Sequence, residues 1–321
     1  MKRTSFYTAI IALVVTASLS SCLKDNLQPD FSQNKPVIEL PLGTSATNGG
    51  GNSLTTSFTL NPTVPSDYFV YLNYAAPSAP SKDVTVTIST DSAAVTKFNT
   101  ANGTNYIAMP ANGYTLASNK VVIPAGQKLV KIPFKINTVN LDITKTYALP
   151  VTIVDGGGFT VSGNFGTLIT ILTLRNKWDG IYKVAGNMID QVNSSLTGVY
   201  PITLQLITQG ATSVVIADPN VNNGSFAHGI LNGTSPSSYG SFSPVFTVNP
   251  ATNVITSAVN YYGQPTTNNG RSARLDVTGD NKFIMSADGN TPVSMKVKYV
   301  MVQNGTDRTF FDENWTFTSA R

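Results

Sequence analysis

The sequence predicts an all-β protein of two domains: an N-terminal Ig-like β-sandwich with one short helix, and a second antiparallel β domain. Three observations support this fold class. Short runs that alternate apolar and polar residues, such as "YFVYLNY" and "DVTVTIST", recur along the chain. Gly, Pro and Asn separate these runs at the spacing expected of a sandwich. Charged residues make up only 12% of the chain, so uncharged polar residues must cover much of the surface.

Residues 1–21 have the pattern of a bacterial export signal. Lys2 and Arg3 precede the apolar stretch "FYTAIIALVVTASL", which is too short to span a bilayer stably. Small residues and a leucine then precede Cys22, the only cysteine of the chain. This arrangement resembles a lipobox, whose cysteine is acylated and becomes the new N-terminus; an ordinary secretory signal with an incidental cysteine is the alternative. We expect a lipid such as palmitate on Cys22 and a tether over residues 22–34.

The residues after the cysteine predict where the protein is displayed. "LKDN" at 23–26 resembles the Lys-then-acidic signal that sends Bacteroidetes lipoproteins to the outer face of the outer membrane, although Asn26 stands at the second acidic position. Periplasmic retention is the alternative. Because Lys2 and Arg3 leave with the signal, the net charge falls from +4 to +2. With no basic stripe to neutralise phosphates, nucleic acid is not an expected partner.

The first domain is expected over residues 35–176. Its alternating runs are interrupted once, by a predicted helix at 91–101, "DSAAVTKFNTA". Asp91 is a candidate N-cap, Val95 and Phe98 fall on one face, and the Asn-Gly pair at 102–103 ends the helix.

The second domain is expected over residues 177–321, because charges and a new alternating pattern begin at "LRNKWDGIYKVAG". "NPATN" and "TGDN" each join two alternating runs and predict hairpin loops. Successive hairpins form an antiparallel meander, which can close into a lipocalin-like barrel or pack as a second sandwich. The pattern alone leaves both open.

Several spaced elements of residues 30–185 together resemble one known domain. They are Phe98–Asn99, Tyr106, Pro110, Tyr114, Pro124–Gly126 and Tyr147–Pro150. Bacteroidetes surface lipoproteins with an adhesin-like N-terminal domain of unknown function carry similar elements, commonly with Tyr where this chain has Phe98. Relatives sit in polysaccharide-utilisation loci, so the resemblance implies a glycan-facing role beside an outer-membrane uptake complex. "DSA" at 91–93 also resembles the sites that these bacteria O-glycosylate, which makes Ser92 a candidate; a plain first helical turn is the alternative.

The inventory of reactive side chains disfavours an enzyme. His228 is the only histidine, Glu39 and Glu313 are the only glutamates, and no nucleophile elbow or paired-carboxylate run is present. Metal-ligand spacings are also missing, so we expect neither a metal nor a cofactor. A calcium site is a weaker alternative to turn-closing acids at Asp276, Asp280 and Asp288.

Aromatic residues near Gly and Pro are the best candidates for a binding site. Sugars are held by exposed rings, with amides and guanidinium groups bonding their hydroxyls. The candidate residues are Tyr239, Phe242, Tyr261, Tyr262, Gln264, Asn268, Asn269 and Arg271. The alternative is that these rings cap the end of a barrel. On a strand only one of the adjacent tyrosines would be exposed, whereas on a loop both would be. Trp178 and Trp315 are expected in the core.

Three functions remain open from the sequence. We favour a non-catalytic surface lipoprotein that binds glycan or host matrix as an accessory of polysaccharide uptake. A fimbrial-like structural or adhesive subunit is the second hypothesis, although only Lys35 offers a basic cleavage residue in "QPDFSQNKPVIEL". An unrecognised glycoside hydrolase is the third.

Overall fold

The computed structural model describes residues 35–41, 52–60, 64–221, 226–263 and 270–321. Cys22 lies outside the described residues, as do Gln264, Asn268 and Asn269. The roles predicted for these four residues therefore stay predictions. Within the described ranges, no helix is long and apolar enough to cross a membrane.

The first eleven strands form two sheets packed face to face. The first sheet has the order β10-β1-β3-β8-β6, and the second has the order β2-β11-β9-β4-β7 with β5 beside β9. The strands are β1 (Val37–Glu39), β2 (Ser53–Thr59), β3 (Ser66–Ala75), β4 (Val84–Ser89), β5 (Ile107–Ala108), β6 (Tyr114–Leu116), β7 (Lys120–Ile123), β8 (Leu129–Ile136), β9 (Tyr147–Asp155), β10 (Thr160–Val161) and β11 (Thr167–Arg175).

Alternation along the strands builds the sandwich core. On β8, Ile132, Phe134 and Ile136 are buried, whereas Lys131 and Lys135 between them are exposed. Strands of both sheets contribute to one apolar cluster in this way, which is how a two-sheet sandwich buries its inner faces.

The predicted helix is present as α1 (Ala93–Asn102). It begins two residues later than the pattern suggested, and the Asp91 carboxylate accepts a hydrogen bond from the Ala93 amide at 2.9 Å. Ser92 directly precedes the helix but makes no side-chain cap bond, so the Asp91 carboxylate caps the first turn, as expected. Gly103 ends the helix in the left-handed conformation with φ of 64°. Val95 packs against the second sheet.

The remaining twelve strands form one antiparallel sheet. They are β12 (Gly180–Asp190), β13 (Leu196–Gly198), β14 (Ile202–Gly210), β15 (Ser213–Ala217), β16 (Gly229–Asn232), β17 (Ser235–Ser238), β18 (Pro244–Val248), β19 (Ile255–Asn260), β20 (Arg271–Leu275), β21 (Lys282–Met285), β22 (Pro292–Gln303) and β23 (Thr306–Ser319). The all-β fold with two β domains is therefore confirmed.

This second sheet curls into a barrel, which resolves the choice that the sequence left open. Its first and last strands, β12 and β23, pair along ten residues. The other seam joins β19 to β21 through the Val254–Lys282 bridge and two backbone hydrogen bonds, Ile255 N to Asn281 O at 2.7 Å and Phe283 N to Asn253 O at 2.9 Å. Large side chains, among them Trp178 and Trp315 as expected, fill the interior.

One of the two predicted hairpins is wrong. "NPATN" does join the paired strands β18 and β19. "TGDN" connects β20 to β21, but these two strands do not pair with each other. Both pair with β22, β21 with its first half and β20 with its second half. The strands β20 and β21 therefore follow each other in the same direction along β22, and residues 276–281 connect them without reversing the chain.

The barrel has two unlike ends. At its lower end β12 begins and β23 finishes, and the Arg175 guanidinium of the first domain donates to the Arg321 carbonyl at 2.7 Å. At the upper end β12 finishes at Asp190, β19 finishes at Asn260 and β23 begins. Strands β13, β16 and β17, with residues 226–228, cover this upper end and are called the cap below. The first domain and the cap thus lie at opposite ends of the barrel.

Candidate functional site

Tyr261 and Tyr262 lie in a turn at the upper end of the barrel. The Tyr261 amide donates to the Ser243 carbonyl at 2.8 Å, and the Gly263 amide donates to the Asn260 carbonyl at 3.1 Å. Gly263 has φ of 95°, a conformation that favours glycine and ends the strand here. Because neither tyrosine belongs to a strand, both are exposed, at 40% for Tyr261 and 38% for Tyr262. The exposure expected of a loop is confirmed.

A third ring, Phe226 of the cap, joins them. Its centroid lies 4.3 Å from that of Tyr261, and Tyr261 meets Tyr262 edge to face at 5.2 Å. The Tyr262 hydroxyl donates to the Phe226 carbonyl at 2.9 Å, so a hydrogen bond as well as ring packing ties the three residues together. We call Phe226, Tyr261 and Tyr262 the aromatic platform.

Phe226 was missed by the sequence analysis. It stands alone in the polar segment "NNGSFAHG", where no periodicity indicates which way a ring points. Its partners are 35 and 36 residues further along the chain, and only the closure of the barrel brings them together.

Tyr239 and Phe242 are not part of the exposed surface, so that prediction is wrong. They are 6% and 1% exposed. The Tyr239 hydroxyl donates to the Asp190 carboxylate, and Phe242 stacks on Phe311 of β23 with centroids 6.4 Å apart. Small neighbours such as Ser and Gly indicated a loop correctly, but this loop turns its rings inward and caps the barrel, the alternative left open above.

Arg271, the first residue of β20, links neighbouring parts of the upper end of the barrel. It donates to the Gly240 carbonyl, and its Nε donates to Gln303 Oε1 at 3.2 Å. Its guanidinium lies 5.6 Å from the Tyr239 ring centroid. Burial, together with the nearby charge of Arg308, lowers the pKa of Arg271. Asn260, the residue before Tyr261, connects Arg271 to the platform. Its side-chain amide donates to the Arg271 carbonyl at 3.4 Å.

Asp190 is the charged centre of the upper interior. Its carboxylate accepts from the Thr309 hydroxyl at 2.8 Å, from Arg308 Nε at 3.1 Å, and from the amides of Val192 and Asn193 at 2.9 and 2.8 Å. Burial alone would raise the pKa of Asp190, but these bonds and the one from Tyr239 outweigh it, so the pKa is lowered.

A second buried charge cluster lies deeper in the barrel. Glu313 Oε1 accepts from the Tyr200 hydroxyl at 2.5 Å and lies 2.6 Å from His228 Nε2. Glu313 Oε2 accepts from Trp315 Nε1 at 3.0 Å. His228 is 2% exposed and Glu313 is 0% exposed, so no substrate reaches either group in this conformation.

The other candidate groups take structural positions. Ser92 is exposed beside α1, and its glycosylation stays a prediction. Asp276 accepts from the Thr278 amide at 3.0 Å and Asp288 accepts from the Asn290 amide at 3.0 Å, as turn-closing acids do. Across the described ranges, no three acidic, His or Cys residues are grouped to hold a metal ion.

A cleft at the junction of the two domains is the main competitor of the aromatic platform. Thr59, Ser66, Lys177, Thr212 and Thr291 are among the residues that line it. Trp178 also borders the cleft, but it is 1% exposed and its Nε1 donates to Asn253 Oδ1 at 3.3 Å. This cleft therefore offers no ring face to a ligand, in contrast to the platform.

Comparisons with known proteins agree with this architecture. A family model described as a "-like, N-terminal domain" matches residues 32–159. No curated protein matches the chain. A solved protein of unknown function from Bacteroides ovatus has a TM-score of 0.54 at 12% identity, covering 89% of this chain and 95% of its own. That likeness shows a shared two-domain fold.

Two further solved structures have weaker likenesses. An auxiliary nutrient binding protein from Bacteroides thetaiotaomicron has a TM-score of 0.41 at 14% identity, covering 86% of this chain and 94% of its own. A protein from Bacteroides ovatus named for carbohydrate binding has a TM-score of 0.35 at 13% identity, covering 88% of this chain and 98% of its own. The match over residues 32–159 agrees with the resemblance of the N-terminal domain predicted from the sequence, and the chain shares the two-domain β fold of the Bacteroides ovatus protein.

Proposed function

We propose that the protein is a non-catalytic lipoprotein of the outer membrane that binds carbohydrate with the aromatic platform of its barrel domain. A lipid on Cys22 anchors the chain, and the platform takes glycan for a polysaccharide-uptake complex. The observation on which this proposal rests is the cluster of Phe226, Tyr261 and Tyr262, two of whose rings are more than a third exposed.

The chemistry of the platform suits a sugar. The C–H face of a pyranose packs on aromatic rings, and its hydroxyl groups need polar partners close by. Tyr261 and Tyr262 supply ring faces and hydroxyls. Gly263 follows them directly in the chain, and Asn260, whose side chain donates to the Arg271 carbonyl, precedes them. Rings already held by one another and by the bond from Tyr262 to the Phe226 carbonyl lose little freedom on binding.

The position of the platform also suits a displayed receptor. The lipid would be attached to Cys22, 13 residues before Lys35, which is the first described residue and lies at the start of the first domain. The platform lies at the barrel end opposite to that domain, where it faces away from the anchor. A polymer could therefore reach it without approaching the membrane.

The positions of the two glutamates favour binding without catalysis. Glycoside hydrolysis needs two carboxyl groups facing across one sugar. Glu39 bonds Asn73 on the sandwich, whereas Glu313 is enclosed in the barrel. Neither glutamate lies beside the aromatic platform.

A glycan array tests the proposal. We expect the soluble mature chain with Cys22→Ser to bind a restricted set of glycans, and Tyr261→Ala to lose that binding. Phe165→Ala is the matched control, because Phe165 is an exposed ring (36%) on the other domain. No binding by the unaltered platform, or equal loss in both variants, would contradict the proposal.

A further inference from the structure

One buried carboxylate joins the cap to the barrel wall, in addition to the pairing of β13 with β12. Glu313 belongs to β23, a wall strand, whereas His228 belongs to the cap and Tyr200 to the segment between β13 and β14. Both meet Glu313 Oε1, at 2.6 and 2.5 Å. Buried polar groups joined in this way specify one arrangement of the elements that carry them. Glu313 therefore helps to determine where residues 226–228 of the cap lie against β23.

The hydrogen bonds indicate a doubly protonated His228. Its Nδ1 lies 2.7 Å from the Gly229 carbonyl, which can only accept. Its Nε2 lies 2.6 Å from Glu313 Oε1, an oxygen that also accepts from Tyr200, and Oε2 of the same side chain accepts from Trp315. Both ring nitrogens therefore donate, and the pair is an imidazolium with a carboxylate.

The groups around His228 come from four elements. Glu313 faces it from β23, Asp218 from the end of β15, Tyr200 from the segment before β14, and the Tyr299 hydroxyl lies beside the same cluster on β22. Burial disfavours the charged ring, but Glu313, the Gly229 carbonyl and Asp218 outweigh it, so the pKa of His228 is raised.

The position next to His228 has no space for a side chain. A Cβ atom added to Gly229 would lie 2.4 Å from Asp218 Oδ2. The cap can pass this carboxylate only because residue 229 has no side chain.

A short buried link joins this cluster to the aromatic platform. Only Ala227, which is 4% exposed, separates His228 from Phe226. Phe226 in turn accepts the hydrogen bond from the Tyr262 hydroxyl and packs against Tyr261. A displacement of His228 must therefore move Phe226, since one packed residue cannot absorb it.

We propose that Glu313 is a positioning residue for the aromatic platform: by pairing with protonated His228 it holds Phe226 against Tyr261, and loss of that proton releases Phe226. The consequence for ligand rests on the proposed function, whereas the movement of the rings does not. Because His228 can donate from both ring nitrogens only while it is charged, the cluster is complete below the pKa of His228, and the platform loosens as the pH rises through that pKa, which lies above the ordinary value of about 6.5.

The chain offers its own spectroscopic reporters for a test. His228 is its only histidine, and Trp178 and Trp315 are its only tryptophans. NMR titration of the mature Cys22→Ser chain should show His228 titrating above pH 6.5. The indole N–H of Trp315 should shift with the same midpoint, whereas that of Trp178, at the lower end, should not. The Overhauser contact between the Phe226 and Tyr261 rings should weaken over the same range.

Glu313→Gln provides the matched variant, since glutamine keeps the shape and removes the charge. We expect His228 in this variant to be neutral at pH 7 and the ring contact to be weak at every pH. A His228 midpoint at or below 6.5, or a ring contact that does not follow that midpoint, would overturn the inference. The titration of the unaltered pair decides the question even where the variant fails to fold.

Ligand binding separates this inference from the proposed function. We expect affinity for the array-selected glycan to fall about 5- to 150-fold across the His228 titration. Constant affinity would overturn the inference and leave the proposed function standing. If the ring contact follows the His228 midpoint while no glycan is bound at any pH, the proposed function fails and the positioning role of Glu313 stands.

Discussion

Asp190, at the scale of a single side chain, holds the upper end of the barrel together. It joins β12 to Thr309 of β23, to Arg308 and to Tyr239 after β17. We expect Asp190→Asn to lower the free energy of unfolding by about 2–4 kcal/mol, because hydrogen bonds to a buried charge contribute about 1.5–3 kcal/mol each and are only partly replaced. Urea unfolding measures this change.

Asp67→Asn is the control for that prediction. Asp67 pairs with Lys135 at 2.5 Å, but both side chains are more than half exposed, so little change is expected.

The lowered pKa of Asp190 also predicts how the contribution of this residue to stability depends on pH. Its contribution is present above the unfolded value of about 3.9 and is lost as the pH falls through the lowered folded value. If the wild type and the Asp190→Asn variant lost stability in the same way as the pH falls, this account would be contradicted.

The contribution of His228 to stability has the opposite pH dependence and is lost at high pH. Its folded pKa is raised, so its contribution to stability is complete below about pH 6.5 and is lost as the pH rises through the folded value. Removing one partner of a buried pair costs about 3–5 kcal/mol. We therefore expect His228→Gln to have a lower melting temperature than wild type at pH 6, with a smaller difference at pH 9. A difference that is independent of pH would contradict the assignment.

Single residues were also where the sequence was least informative. Tyr261 and Tyr239 have similar neighbours, rich in Gly, Ser and Asn, yet one is exposed and the other is buried. Local composition identifies a loop, but the direction of a ring depends on which other loops meet it at the barrel end. The exposure of Tyr262 could be predicted, whereas the pairing with Phe226 could not.

At the scale of elements, the seam between β12 and β23 closes the barrel where Gly186 faces Glu313. A Cβ atom at Gly186 would lie 2.4 Å from the Asp312 carbonyl oxygen, a backbone atom that moves only with its strand. We expect Gly186→Ala to cost about 1–3 kcal/mol of stability, in the range of other overpacked sites. Thermal unfolding of the variant measures the loss.

Gly163→Ala is the matched substitution, since nothing lies within 4 Å of an added Cβ there. It should leave the melting temperature nearly unchanged. If both alanines had the same effect, the close approach of β12 and β23 would not be a determinant of stability.

The elements themselves were largely predictable. Alternation with period two located the strands, and "NPATN" was correctly assigned to a hairpin whose Asn253 has φ of 57°. The same reasoning failed at "TGDN", because alternation marks a strand without naming its partner. There β20 and β21 both pair with β22, which is two to three times as long as either of them. Pairing is a property of the whole sheet.

At the scale of the whole molecule, the anchor, the sandwich and the barrel follow one another along the chain. We predict that Cys22→Ser leaves the protein unlipidated and releases it from membranes, because acyl chains bind the bilayer by about 0.8 kcal/mol per buried methylene. Incorporation of labelled palmitate and fractionation of membranes measure this. A Cys22→Ser variant that remains in the membrane fraction and incorporates the label would show that the anchor lies elsewhere.

The affinity of the platform for glycan tests the central claim most directly. The dissociation constant for a glycan selected on the array should be measured for wild type, Tyr262→Ala and Phe165→Ala, with the melting temperature of each. Loss of one stacking ring costs about 1–3 kcal/mol, so Tyr262→Ala should bind about 5- to 150-fold more weakly. Its melting temperature should change little, because the Tyr262 ring is 38% exposed, and Phe165→Ala should bind as wild type does. Unchanged affinity in Tyr262→Ala, or a loss of affinity that only accompanies unfolding, would contradict the account.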